Sequence, residues 1–384
     1  MTLDSQPMTT ARQPGIESMR MAITSDAAPE RNGVGAYYQD LISYLEPRLA
    51  RVVMYSPTIG EDGAWNAGLV LPMPGDSTQR VCVPNIYKLR RDLAELDPHV
   101  VIVPTPGVYG VAGAFLASRR GIPVLTGFHT SFEQLAELYW HGSLTGRVFR
   151  QYIDKIHRYL IRVSAAVLVN SSEMEAEARA LGARNIVRIG TPLPHAFATH
   201  PIAPYGGGFS KILFAGRLAA EKNLAAIIES AEAMPALQFS IAGDGPLREE
   251  VESAAARLPN FTYLDWLDRE ALRDQIDAHD ALILPSHFET FGTIALEAMS
   301  RNRVVIVSKA SGIVDWKELT QGFEVIDERG LLAALRDVLG LSPESRKELA
   351  QRAYNAAQTF NDENLRGWEG LLVDTANAGN RFHS

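Results

Sequence analysis

Short β-branched runs alternate with helical patterns along most of this chain, and the alternation occurs twice. In the first half Met21-Ala22-Ile23, Arg51-Val52-Val53-Met54-Tyr55, Val100-Val101-Ile102-Val103, Pro123-Val124-Leu125 and Ala166-Val167-Leu168-Val169 read as strands, with helical stretches such as 37–45 and 108–118 between them. The second half repeats the pattern in Lys211-Ile212-Leu213-Phe214, Gln238-Phe239-Ser240-Ile241, Ala281-Leu282-Ile283-Leu284 and Val304-Val305-Ile306-Val307. Such alternation argues for parallel sheets with helices on both faces. Between the halves, residues 191–208 hold four prolines and the triplet Gly206-Gly207-Gly208, which reads as a hinge. At 384 residues and 46% apolar content, the chain exceeds one ordinary core and can supply two. The expected architecture is α/β, with two Rossmann-like domains facing a cleft. Its divisions are a disordered start at 1–15, a first domain at 16–193, a linker at 194–209, a second domain at 210–362 and a last segment at 363–384.

Composition narrows the function. No apolar run approaches the 18 or so residues of a membrane span, and residues 1–15 lack the apolar stretch of a signal peptide. The single Cys82 excludes an intramolecular disulfide and suits a reducing cytoplasm. The net charge of −8 is uneven: residues 1–193 carry 19 Lys/Arg against 18 Asp/Glu, and the remainder carry 18 against 27. An acidic second half argues against nucleic acid as a partner.

The stretch 285–299 is the most informative locally. Ala281-Leu282-Ile283-Leu284-Pro285 reads as a short buried strand closed by proline, and 292–299 as a helix with Ile294, Leu296 and Met299 on its apolar faces. Glu289 then lies in the loop before the helix and Glu297 on its second turn. Eight residues of helix rise about 12 Å, too far for two carboxylates flanking one bond, which stand about 5–9.5 Å apart. The span suits a nucleotide sugar, with the ribose at one end, the hexose at the other and the diphosphate facing the helix N-terminus between them. Thr290, Phe291 and Gly292 line the approach, and the Phe-Gly step admits close backbone contact.

A second cluster lies after the strand at 211–214. Gly216 and Arg217 end that strand, and Glu221-Lys222-Asn223 open the next helix. Two cations beside a helix N-terminus favour an anion. Gly243-Asp244-Gly245-Pro246 makes the next tight turn, either a chain reversal or a nucleotide contact through Gly243. The chain has no Asp-x-Asp pair and no His/Cys cluster with metal spacing. The expectation is therefore no metal and no cofactor, with side chains neutralising the diphosphate.

In this combination the chain resembles the retaining glycosyltransferases of family 4, whose signature is Glu, seven residues, Glu in a strand–loop–helix setting. The resemblance runs over about 21–367. It implies the two-domain fold called GT-B, a last helix crossing back to the first domain (364–374, with Trp368, Leu371 and Leu372), and retention of anomeric configuration. It also implies roles: Arg217 and Lys222 on the donor diphosphate, Glu289 on the sugar, Glu297 on the ribose, and Gly33 in the Asn32-Gly33-Val34-Gly35 turn near a phosphate or acceptor. A plain turn is the alternative for that last segment. The family's usual Gly-Gly-x-x-Glu is Ser311-Gly312-Ile313-Val314-Asp315 here, and its usual Gly and Pro give way to Arg301-Asn302-Arg303. A lone histidine is more often structural. Yet Phe128-His129-Thr130-Ser131-Phe132 and Glu289-Thr290-Phe291-Gly292 both resemble the glycolipid synthases and lipid mannosyltransferases of this family. In those enzymes the matching histidine lies against the donor sugar, which adds His129 to the catalytic set with Arg217, Lys222 and Glu289.

The stretch from Gly146 to Val163 carries an apolar stripe of Val148, Phe149, Tyr152, Ile153, Ile156, Tyr159, Leu160 and Val163, flanked by Arg147, Arg150, Lys155, Arg158 and Arg162. It fits a helix lying on an anionic membrane or a core helix with snorkelling cations. The resulting expectation is a cytoplasmic enzyme, peripheral on the inner face of the membrane. It moves a hexosyl unit from a UDP- or GDP-sugar to a lipid hydroxyl such as that of diacylglycerol. A soluble or polysaccharide acceptor, a nucleotide-sugar epimerase and a non-catalytic sugar-nucleotide binder are the alternatives.

Overall fold

A computed structural model of the chain describes residues 15–27, 33–58, 67–73, 76–129 and 144–380. Nearly all of the expected disordered start, the tail 381–384, Asn32, Thr130, Ser131 and Phe132 lie outside the described residues. The first domain contains strands β1 (Arg20–Thr24), β2 (Arg51–Tyr55), β3 (Leu69–Met73), β4 (Asp76–Val83), β5 (Val100–Val103), β6 (Val124–Phe128), β7 (Ala166–Val169) and β8 (Ile186–Arg188). Its helices are α1 (Gly33–Leu45), α2 (Ile86–Leu96), α3 (Val108–Ser118), α4 (Leu144–Val163) and α5 (Ser172–Ala180), and the short α6 (His195–Ala198) follows. The second contains β9 (Lys211–Ala215), β10 (Gln238–Ala242), β11 (Phe261–Tyr263), β12 (Ala281–Leu284), β13 (Val304–Ser308) and β14 (Glu324–Ile326). Its helices are α7 (Leu224–Ala233), α8 (Arg248–Arg257), α9 (Arg269–Ala278), α10 (Thr293–Ser300), α11 (Leu331–Gly340) and α12 (Pro343–Asn380).

Both six-stranded sheets are parallel, as the alternation implies. Their orders are β2-β1-β5-β6-β7-β8 and β11-β10-β9-β12-β13-β14; β3 and β4 form a separate antiparallel hairpin. The central strands are buried along their whole length, for example β5, β7, β12 and β13. Helices on both faces leave no solvent side, so these strands read as continuous apolar runs. Two boundaries differ from expectation: β6 runs on through Phe128 and α1 starts at Gly33. The edge strands β8, β11 and β14, which the expected set lacks, have only three residues each.

The expected crossing helix is the second half of one 38-residue helix, α12, about 57 Å long. Leu349, Ala350, Ala353, Ala357 and Phe360 pack into the second core, and Trp368, Leu372 and Ala376 into the first. Where it passes between domains, the Asn364 amide accepts from Gly190 N–H at 2.8 Å and donates to the Gly190 carbonyl at 3.1 Å, and Asn361 accepts from Leu193 N–H at 2.8 Å. A Cβ on Gly190 would stand 2.2 Å from the Phe360 ring, so this crossing needs glycine.

The linker 194–209 joins the domains but is fastened to the second one. Buried Arg301 holds both oxygens of Asp277 and donates to the carbonyls of Phe197, His200 and Pro201. Buried Arg303 donates to Ala203, and Arg346 to Gly207 and to the last carbonyls of α11. Asn302 between the two arginines takes the left-handed conformation (φ 57°), which asparagine tolerates better than most residues.

Candidate active site

Parallel sheets bind ligands outside their carboxyl ends, at the point where strand order reverses. In the second sheet that point lies between β9 and β12, and the two carry the clusters singled out in the sequence. Beyond β9 come Gly216, exposed Arg217 and a 3-10 turn of Ala220–Lys222 that leads through Asn223 into α7. Beyond β12 come Glu289, Thr290 and Gly292, whose positive φ of 98° caps α10. The two loops meet: the Lys222 ammonium hydrogen-bonds the Glu289 carboxylate, with 14% and 18% of their side chains exposed. His287 N–H also donates to the Glu221 carbonyl at 2.8 Å.

The loop carrying Glu289 is held from its far side. Glu289 N–H donates to the Ala310 carbonyl at 3.2 Å, and its own carbonyl accepts from Gly312 N–H at 2.8 Å. A Cβ on Gly312 would lie 2.0 Å from the Thr290 carbonyl, so only glycine fits there. Phe291 points the other way. Its ring is 2% exposed and packs at 6.0–6.2 Å from Phe360 and Trp316, so it offers the cleft no side chain. Gly243, with φ 138°, packs against the Gly216 turn, where a Cβ would meet the Gly216 carbonyl at 1.9 Å. The Gly243 turn thus seats the strand end that carries Arg217.

Glu297 faces different company. It is 8% exposed, and among the described residues no hydrogen bond reaches its carboxylate. Burial raises its pKa to about 8; the Arg269 guanidinium lowers it and the Asp40 charge raises it further. Its oxygens are therefore open to a ligand hydroxyl.

In the first domain Gly33 opens α1 instead of preceding it. His129, half-buried, directly follows β6, and its Nε2 lies 2.9 Å from the Tyr38 hydroxyl. Burial lowers the imidazole to about 4. Gly127 has no Cβ because His129 Nε2 would stand 2.6 Å from one. The two domains touch where β7 and β13 end. Asp315 accepts from Ser172 N–H at 2.6 Å and from its hydroxyl at 2.7 Å, and Trp316 Nε1 donates to the Asn170 carbonyl at 2.9 Å. The carboxyl ends of both sheets therefore face each other, with His129 on one side and Lys222, Glu289 and Arg217 on the other.

Comparison with known proteins agrees with this arrangement. A profile described as "Glycosyltransferase Family 4" matches residues 31–196, and one described as "Glycosyl transferases group 1" matches 210–341. The chain belongs to the GT-B glycosyltransferases. It is 25% identical over 236 residues to the sulfoquinovosyl transferase SQD2 of Arabidopsis thaliana, covering 58% of this chain and 45% of that one. A GDP-mannose-dependent alpha-mannosyltransferase of Mycobacterium tuberculosis is 24% identical over 320 residues, 77% of this chain and 80% of that one. The Anabaena protein HepE, solved in complex with UDP and glucose, superposes with a TM-score of 0.66 at 16% identity, over 90% of this chain and 98% of its own. The chain spans about half the length of the first curated relatives it matches.

Three features of this glycosyltransferase escape sequence reading. Asp40 of α1 is paired with Arg269 of α9 across 229 positions. Tyr38 occupies a ring nitrogen of His129. Asp315, read as a departure from the family turn, caps α5 of the other domain. All three depend on partners far away in the chain. The aromatic pair Tyr37-Tyr38 facing inward from α1 is the single hint the sequence carries.

Proposed function

We propose that this glycosyltransferase moves a hexosyl unit from a UDP- or GDP-sugar to a lipid hydroxyl, diacylglycerol being the simplest such acceptor, with retained anomeric configuration. The observation that carries the donor reading is the divided site at the strand-order reversal. Lys222 and Glu289 are paired there, exposed Arg217 follows the end of β9, and no described residue hydrogen-bonds the Glu297 carboxyl. A diphosphate competes with Glu289 for Lys222, and Glu289 then turns to the sugar hydroxyls. Glu297 accepts from the ribose. The bond from the anomeric carbon to the phosphate oxygen breaks as the acceptor oxygen bonds that carbon on the same face. The acceptor's proton passes to the departing phosphate oxygen, whose growing charge Arg217 and Lys222 stabilise. His129 serves as a neutral hydrogen-bond partner of the sugar. An imidazole near 4 is a poor general base at neutral pH, which weighs against an epimerase. The UDP and glucose bound by HepE and the GDP-mannose dependence of the mycobacterial relative support a nucleotide sugar.

The lipid acceptor rests on the first domain. The α4 stripe is largely a core face: Ile153 and Leu160 are buried, and Ile156, Tyr159 and Val163 pack on the core, while the Val148 and Phe149 side chains lie outside those described. Arg147, Lys155, Arg158 and Arg162 are exposed, and their spacing lines them along one outer face. Beside them Val108, Val111, Ala112, Phe115 and Tyr159 line an apolar trough. Exposed cations next to exposed apolar groups suit an anionic membrane surface. The test is incubation with labelled UDP-glucose, UDP-glucuronate and GDP-mannose, with and without diacylglycerol vesicles. Label should enter the lipid fraction; label entering only soluble or polymeric acceptors would sink the lipid reading.

A further inference from the structure

Arg269 opens α9 immediately after Asp268, whose side chain caps that helix. Its two terminal nitrogens meet the two carboxylate oxygens of Asp40 on α1, Nη2 to Oδ2 at 2.7 Å. Asp40 keeps 9% of its side chain exposed and Arg269 41%. A two-pronged pair with one desolvated partner is stronger than an ordinary surface ion pair.

Glu297 is the third member. It lies within the fields of both Arg269 and Asp40, the first favouring its charge and the second opposing it. The Arg269 guanidinium gives both prongs to Asp40, and among the described residues none to Glu297. The other ionisable groups recorded at this junction are His195, which acts on Asp40, Tyr44, stacked on His195 at 4.0 Å and with a raised phenol owing first to burial, and Asp362, whose charge acts on Tyr44. A carboxylate gripped by a forked guanidinium gives up about two of its roughly four acceptor sites, and fewer remain for ribose hydroxyls.

We propose that Asp40 is a donor-positioning residue, which holds Arg269 on the first domain and so leaves Glu297 open to the donor ribose. The inference rests on the donor reading given above. Asp40 itself never touches the donor. Without it, Arg269 swings to Glu297 and takes the acceptors that the ribose needs.

The experiment measures UDP and GDP affinity by calorimetry for the full-length wild type, Asp40→Asn, Arg269→Gln, the double variant and Glu297→Gln, across neutral to mildly alkaline pH. Asp40→Asn should weaken binding roughly tenfold, the worth of one charge-assisted hydrogen bond withdrawn. The double variant should recover most of that loss, because no guanidinium remains to capture Glu297. The pH at which affinity rises should move in opposite directions, down in Asp40→Asn and up in Arg269→Gln. If the pair were merely a structural clamp, both single variants would lose affinity alike and the double would do no better; that result overturns the proposal. Recovery of affinity in the double variant over Asp40→Asn supports it, whereas opposite pH shifts alone follow from the two charges acting on Glu297. Should Glu297→Gln bind both nucleotides as tightly as wild type, the donor reading fails first. A weakened Glu297→Gln beside an unaffected Asp40→Asn overturns only this inference.

Discussion

Replacing Glu297 by glutamine should stabilise the protein above neutral pH even as it weakens the hold on the donor. The carboxyl is 8% exposed, and burial raises it from 4.5 to about 8. The folded chain therefore keeps a proton that the unfolded chain has released across that window. With more protons bound when folded, stability is full below pH 4.5 and is lost as pH rises through the folded value of about 8. The slope is about 1.4 kcal/mol per pH unit, which sets a ceiling of about 5 kcal/mol on the cost of ionising this group. Glutamine fills the same space and cannot ionise. Glu297→Gln should match wild type near the acid end of the window and unfold progressively higher as pH rises. At about 2–4 °C per kcal/mol for a domain of this size, the gap amounts to several degrees or more. Scanning calorimetry at a series of pH values measures it. Saturating nucleotide sugar should raise wild type more than the variant, because ribose hydroxyls satisfy the carboxylate. A gap independent of pH, or a variant less stable than wild type in mild alkali, would refute the reasoning.

Arg217→Ala and Lys222→Ala should each lower kcat by about 10²–10³, since they act on charge that grows in the transition state. EDTA should leave the wild-type rate nearly unchanged, and activity lost to EDTA and restored by Mg²⁺ or Mn²⁺ would contradict the side-chain clamp. Changing Arg147, Lys155, Arg158 and Arg162 to glutamine should release the protein from anionic vesicles in a sedimentation assay. Four cations account for about 4 kcal/mol at low salt, and salt should mimic the change; a wild type that ignores such vesicles would make α4 an ordinary core helix. Arg301→Met strips Asp277 of its buried partner and three linker carbonyls of a donor. It should cost about 3–5 kcal/mol in denaturant unfolding, whereas a change under about 1 kcal/mol would mean that the linker is not riveted there.

The long buried strands are readable because helices on both faces demand continuous apolar runs such as Val100–Val103 and Val304–Ser308. The three-residue edge strands are not. Glu324–Ile326 and Phe261–Tyr263 carry too few residues to set a period, and pairing with one neighbour makes them strands. The donor loops are legible for a local reason: Glu289, Gly292 and Glu297 sit within one strand–loop–helix unit, and Arg217 and Lys222 within another. The direction of the Phe291 ring is not legible, because adjacency to the motif says nothing of which way a ring points. Arg301 and Arg303 read as departures from a family turn, yet their charge is used far away on the linker. Asp40 meeting Arg269, and Ser172 meeting Asp315, join domains whose approach no local pattern encodes.

The central claim is transfer of a sugar from a nucleotide to an acceptor hydroxyl with its configuration kept. NMR of the product formed from an α-linked nucleotide sugar tests it most directly. The account requires a new α-glycoside on the acceptor hydroxyl, formed by wild type and strongly reduced in Lys222→Ala. A β-glycoside, or a sugar altered while still attached to its nucleotide with none transferred, would contradict it.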